Sequence, residues 1–199
     1  FAVKRGNLIM EEFTLSVPGK FNALNATSAI IVGLELGLAI KDIQIGLAKF
    51  FGTRRRFEFV GEKNGVKLYD DYAHHPREIS STLLACREWF KKEKIIVLFQ
   101  PHTYSRTKAL LKEFSQSFGL ADEVLVLPIF SSAREENDPT INSQILVNEI
   151  SHYQPRVQYV SNGELVLEYL KKNIVGGTVI ITMGAGDVYK LNDRIMEIL

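Results

Sequence analysis

The sequence predicts an α/β protein on a mostly parallel sheet, preceded by a smaller segment made of one hairpin and two helices. Three observations carry this. From residue 57 onward strand patterns alternate with helix patterns, the grammar of a sheet joined by crossover helices. Ile95-Ile96-Val97-Leu98-Phe99 is an unbroken apolar run, as expected of a strand buried on both faces of a parallel sheet. Before residue 57 the grammar differs: two strand patterns come first and two helical ones follow.

Residues 1–17 read as the hairpin. Ala2-Val3-Lys4 is followed by a turn at Arg5-Gly6-Asn7 and a partly alternating stretch to Val17, and Pro18-Gly19 ends it. Asn22 or Asn25 then starts a helix with Ala26, Ile30, Ile31, Leu34 and Leu38 at helical spacing, stopping near Gly37. Asp42 caps a second helix whose buried side is Ile43, Ile45, Leu47 and Phe50-Phe51. Arg54-Arg55-Arg56 falls where the grammar changes, which sets a domain boundary there: residues 1–56 and 57–199. The triplet is either a solvated basic turn or a hinge set of phosphate ligands.

Phe57-Glu58-Phe59-Val60 and Val66-Lys67-Leu68-Tyr69 read as strands. Asp70-Asp71-Tyr72-Ala73-His74-His75-Pro76 then forms a strand-to-helix turn, with Pro76 at the first helical position and Glu78 near the positive helix end. Ile79, Leu83, Cys86 and Phe90 share one face of that helix. Further strands are expected at residues 123–127, 157–160 and 178–182, and helices at 105–118, 142–152, 163–172 and 187–199.

Composition narrows the function classes. A net charge of +1 gives no global pull toward nucleic acid or an anionic membrane, so phosphate binding must be local. One cysteine, placed on an apolar helix face, excludes an internal disulfide and a multi-thiolate metal site. No apolar run approaches a membrane span and no signal peptide opens the chain, so no membrane insertion and a cytoplasmic home are expected. Without an initiator methionine, and starting inside a strand pattern, the chain reads as a fragment of something longer.

In open α/β sheets ligands bind at the carboxyl ends of the strands. The segments leaving those ends here are residues 70–76, 100–107, 128–135 and 183–187. They hold three of the four histidines, together with Arg106 and Arg134; His152 falls at a helix end elsewhere. Capping remains a sufficient reason for Asp70 or His75 taken alone, but capping does not require convergence on one edge. Ser105 is a natural N-cap whose amides favour an anion; Arg106 can grip a carboxylate or phosphate, and His102 can donate to an anion or guide an amine. Asp70, Asp71, His74 and His75 could ligate a metal, although four ligand types on one short turn rarely all point inward, which favours substrate or nucleotide binding. Met183-Gly184-Ala185-Gly186-Asp187 lacks the full dinucleotide fingerprint and reads as tight packing. No Walker-type loop occurs.

GTRRRFE, DDYAHHP, FQPHTYSRT and the late GAGD, in that order, resemble the C-terminal part of the Mur ligases, and the earlier PGKFNALNA resembles the end of that family's central ATPase domain. DDYAHHP is shared with the branch that recycles murein tripeptide, whereas FQPHTYSRT is more specific to the alanine-adding branch. The resemblance implies a Rossmann-like C-terminal domain preceded by part of the central domain. It also implies an ATP-dependent ligase of peptidoglycan-precursor synthesis, in which the carboxylate of UDP-N-acetylmuramate forms an acyl phosphate that the amine of L-alanine opens. By the same resemblance Asn25 contacts adenine, Arg56 the phosphates and Asp71 the ribose, with His74 close to the nucleotide. His102 and Arg106 orient the amino acid, with Tyr72 nearby. No catalytic residue is assigned within the chain, and the partners are ATP, UDP-N-acetylmuramate, L-alanine and the remainder of the same polypeptide. Phe21 stands where histidine is usual and Thr103 where arginine is usual. The phosphate loop and the main ligands of Mg2+ are expected outside these residues, so the fragment is not expected to turn over alone. A tripeptide-adding enzyme of the same family and a stand-alone nucleotide- or amino-acid-binding α/β module are the alternatives.

Overall fold

The computed structural model describes every residue except Asn7 and Arg134. The expected turn at residues 5–7 and the expected role of Arg134 therefore fall partly or wholly outside the described residues. The chain divides into two compact units, Phe1–Thr53 and Arg54–Leu199. Among the described residues no helix is long and apolar enough to cross a membrane.

In the first unit β1 (Ala2–Arg5) pairs antiparallel with β2 (Leu8–Glu12), and α1 (Lys20–Glu35) and α2 (Ile40–Ala48) follow. Neither asparagine starts α1. Gly19, at φ 98°, occupies the cap position, and Asn22 Nδ2 turns back to donate to the Pro18 carbonyl at 2.6 Å. Asp42 sits in the first turn of α2, with Ala39 at its cap. The buried core of this unit is Val3, Phe13, Ile30 and Ile43. A two-stranded ribbon covers one side of a helix pair, so Ile31, Leu38, Ile45, Phe50 and Phe51 are exposed, contrary to the expectation that Ile45 and Phe50-Phe51 would be buried.

The second unit carries a six-stranded sheet of order β3-β4-β8-β5-β6-β7. Its strands are β3 (Glu58–Lys63), β4 (Val66–Asp71), β5 (Lys94–Phe99), β6 (Glu123–Val126), β7 (Val157–Tyr159) and β8 (Thr178–Met183). Only β3 runs antiparallel to its neighbour. The chain steps outward from β5 through β6 to β7 and returns to insert β8 between β4 and β5, which explains why β8 is buried throughout and β5 from Ile95 onward. One face packs on α3 (Pro76–Trp89), α5 (Leu111–Ser115) and α6 (Ser143–Ser151) through Leu83, Phe114 and Leu146. The other packs on α7 (Gly163–Asn173) and α8 (Asn192–Ile198) through Val166, Leu170 and Ile195. Cys86 is buried, as its position on the helix face predicts.

Two helices depart from expectation. The pattern over residues 105–118 is broken at Leu110, giving α4 (Tyr104–Ala109) and then α5, and the last helix opens as a 3₁₀ turn, Val188–Leu191. Asp70 and Asp71 complete β4, so the turn itself begins at Tyr72.

Candidate active site

The arginine triplet belongs to the second unit, and Arg55 shows why. Its carbonyl accepts from Tyr72 N at 2.7 Å and its amide donates to Glu58 at 2.7 Å. Its guanidinium donates to Asp70 (3.0 Å) and to the Gly184 carbonyl (2.6 Å), and lies against the rings of Tyr72 and Tyr189. One side chain thus ties the start of β3 to the carboxyl ends of β4 and β8. Arg56 is exposed, with its guanidinium 5.4 Å from the Tyr72 ring centroid, and among the described residues no carboxylate pairs with it within 4 Å.

Both acids of the Asp70-Asp71 pair are bonded internally. Asp70 holds Arg55 and accepts from Thr182 Oγ1 at 2.9 Å; burial raises its pKa in spite of those two partners. Asp71 accepts from the amides of Phe57 (2.8 Å) and Ala73 (2.7 Å), and burial pushes its carboxyl up to about 6. The residue as a whole is 4% exposed. Each carboxylate oxygen takes one of those two bonds and keeps a further lone pair.

The turn that Asp71 fixes carries Tyr72 and His74. His74 Nδ1 donates to the Tyr72 carbonyl at 2.9 Å, a bond that does not involve Nε2. His75 takes the capping reading: its side chain accepts from Arg77 N, while Glu78 accepts from the amides of His74 and His75. Burial pushes the Glu78 carboxyl up, but the His74 and His75 amides and the neighbouring charges outweigh it and hold the pKa below the ordinary range.

Beyond β5, His102 stacks on Phe130 with ring centroids 5.5 Å apart, and its ring lies 6.2 Å from that of His74. Arg106 donates to the His102 carbonyl at 2.6 Å. Burial lowers the His102 pKa, reinforced by the positive Arg106 and by His74, so the ring is neutral near pH 7. The anion expected at the amides of α4 is already present. Ser105 is not the cap; α4 starts one residue earlier, and the Glu135 carboxylate accepts from the amides of Tyr104 and Ser105, both at 2.8 Å. Glu135 lies at the end of a segment that the strand order had marked, but no pattern in the sequence pairs it with α4.

The glycine turn is packing, as expected. Gln100 Oε1 accepts from the amides of Asp187 and Val188, and a Cβ at Gly186 would collide with Gln100 and Phe130. A cleft of about 430 Å³ opens at the same edge, lined in part by Gln100, Phe130, Ser161 and Lys190, and none of Tyr72, His74, His102 or Arg106 lines it. His152 is exposed at the end of α6. Asn25 is exposed on α1 of the first unit, as is Phe21.

The second unit therefore brings together Arg56, Tyr72, His74, His102 and Arg106 at one edge, with the neighbouring acids neutralised by internal bonds. This edge suits phosphate and carboxylate groups. Among the described residues no three His, Cys, Asp or Glu side chains converge.

The family described as "Mur ligase, glutamate ligase domain" matches residues 55–186. The chain belongs to the Mur ligase family. Arg56, Asp71, Tyr72, His74, His102 and Arg106 all lie within the matched stretch, and Asn25 lies before it. Curated relatives named UDP-N-acetylmuramate–L-alanine ligase include one from Desulfitobacterium hafniense, 44% identical over 94% of this chain and 42% of its own length. Another, from Acetivibrio thermocellus, is 44% identical over 99% of this chain and 42% of its own. The crystal structure of UDP-N-acetylmuramate–alanine ligase from Thermotoga maritima superposes with a TM-score of 0.80 at 29% identity, over 98% of this chain and 41% of that one. A murein peptide ligase from Psychrobacter arcticus, 22% identical, shares the Mur ligase fold with a TM-score of 0.66, over 94% of this chain and 38% of that one. This Mur ligase chain spans about two-fifths of the length of its curated relatives.

Proposed function

We propose that these residues form the C-terminal part of an ATP-dependent ligase that joins L-alanine to UDP-N-acetylmuramate, the first amino-acid step of a peptidoglycan precursor. The reading rests on the pairing of His102 with Arg106 at the carboxyl edge, in a chain whose 44%-identical relatives carry that name. The sugar's carboxylate takes the γ-phosphoryl group of ATP; the amine then forms the C–N bond as phosphate leaves and a proton is lost.

The residues here position charged groups for that sequence. Arg106, held by the His102 carbonyl, takes the carboxylate of L-alanine in a bidentate grip. His102, neutral near pH 7, orients the incoming amine and can accept its proton. Arg56 offers a guanidinium to the phosphates, and His74 offers Nε2 to the nucleotide beside Tyr72. Asp71, whose two amide bonds fix the turn that carries Tyr72 and His74, holds the ribose through its remaining acceptor capacity. Asn25 contacts adenine. The phosphate loop and the Mg2+ ligands come from the rest of the polypeptide, and no step here is routed through the metal. Such substrates place the enzyme in the cytoplasm.

Steady-state kinetics of the full-length enzyme test this. A charge-assisted contact is worth roughly 1.5–3 kcal/mol, so Arg106→Ala should raise the KM for L-alanine about 10- to 150-fold and leave that for ATP within twofold. Equal effects on both substrates would overturn the role of Arg106. Phosphate release driven by a tripeptide acceptor but not by L-alanine would move the enzyme to the recycling branch.

A further inference from the structure

The loop that leaves β6 holds the loop that leaves β5 at several points. Phe130 N donates to the Pro101 carbonyl at 2.8 Å, and the Phe130 ring backs His102. Glu135 bridges the amides of Tyr104 and Ser105. Beyond it, Asp138 and Thr140 accept from Lys108 Nζ at 2.9 and 2.8 Å. These grips are not equivalent. Lys108 is exposed on the far turn of α4, whereas Glu135 binds two of the three amides between His102 and Arg106. Of these anchors, it is the only carboxylate on the backbone that joins those two residues. That backbone leads into a helix of only six residues, whose own cap residue, Thr103, makes no side-chain capping bond. An isolated helix so short does not hold itself in place.

We propose that Glu135 is a positioning residue for the amino-acid end of the site: its carboxylate, on the Tyr104 and Ser105 amides, sets the angle at which His102 and Arg106 meet the acceptor substrate. This rests on the assignment of Arg106 to the carboxylate of L-alanine. It also explains how Thr103 and Ser105, whose hydroxyls lie 3.1 Å apart, can flank the turn without capping α4 themselves.

The test is kinetic, in the full-length enzyme, with L-alanine and ATP varied separately and Arg106→Ala as reference. Glu135→Ala should raise the KM for L-alanine at least tenfold, change that for ATP less than twofold, and leave the midpoint of thermal unfolding within a few degrees. Glu135→Gln, which keeps one acceptor oxygen, should recover most of the loss. Asp138→Ala, which loosens the same loop away from the turn, should leave both KM values within twofold. A raised L-alanine KM in Arg106→Ala with an unchanged one in Glu135→Ala overturns the positioning role alone. Equal effects of Glu135→Ala and Asp138→Ala also overturn it, since loop integrity would then set the site. An unchanged L-alanine KM in Arg106→Ala removes the Arg106 assignment and the proposal with it.

Discussion

Residues 70–76 and residues 100–107 leave strands that flank β8 at one sheet edge, and they hold their shape by different means. The first run is self-supporting. Asp70 holds Arg55, Asp71 holds two amides, and His75 and Glu78 close the cap of α3. The second run is held from outside, by Phe130 and Glu135 of another loop, and its cation and imidazole face the edge. Reactive residue types in a motif are therefore not equivalent: in the first run the acids are fasteners, and in the second the fastener lies some thirty residues away.

The strongest way to break that contrast is to remove a fastener from the first run. Arg55→Ala leaves Asp70, at 2% exposure, without its charge partner, and losing one member of a buried pair costs about 3–5 kcal/mol. Equilibrium unfolding in urea should show that loss. Asp70→Asn in the same background should recover a large part of it, because the stranded charge is gone. Arg106→Ala, whose partners are a backbone carbonyl and a half-buried ring, should cost no more than about 1 kcal/mol of stability. Comparable losses for Arg55→Ala and Arg106→Ala would mean that both runs are load carriers, and the distinction would fall.

Acidity sharpens the same contrast. Burial lifts the Asp71 pKa to about 6 in the folded state, against about 3.9 in the unfolded chain. A carboxyl with a raised folded pKa contributes stability that is complete below the unfolded value and is lost as pH rises through the folded one. The polypeptide should therefore lose up to about 3 kcal/mol from this group between pH 4 and pH 7. Unfolding curves across that range should be flatter for Asp71→Asn than for the wild type. Parallel curves would mean that Asp71 titrates alike in both states. The lowered pKa of His102 acts differently, by keeping the ring neutral for substrate down to a pH below its ordinary value of about 6.5.

Most of the sheet was legible because it rests on local patterns. The apolar run of β5, Pro76 at the head of α3 and Cys86 on its inner face each follow from neighbouring residues alone. The convergence of His74, His102 and Arg106 was legible too, since parallel strands bring their carboxyl ends to one edge. What escaped depends on distant partners. Ser105 looks like a cap until Glu135 is seen on its amide, and nothing local to Asp71 announces the bond it takes from the Phe57 amide. Phe50 and Phe51 look like core because hydrophobicity does not reveal what covers a helix, and within their unit the hairpin is too small to do so.

The smallest expected effect separates the two runs most cleanly. Glu78 accepts from the amides of His74 and His75 at 3.0 and 3.2 Å, so Glu78→Ala removes half of the capping box of α3, a change worth about 1 kcal/mol. Because that carboxyl has a lowered folded pKa, its contribution is present above the unfolded value and is lost as pH falls through the folded one. Amide hydrogen exchange resolves where the loss is felt. The His74 and His75 amides should exchange faster in Glu78→Ala, while those of Tyr104 and Ser105, held by Glu135, should keep their wild-type rates. Glu135→Ala should give the reciprocal pattern. Acceleration at all four amides in either variant would show that the two runs open together, and that the edge is one cooperative element with two histidines rather than two loops with separate fasteners.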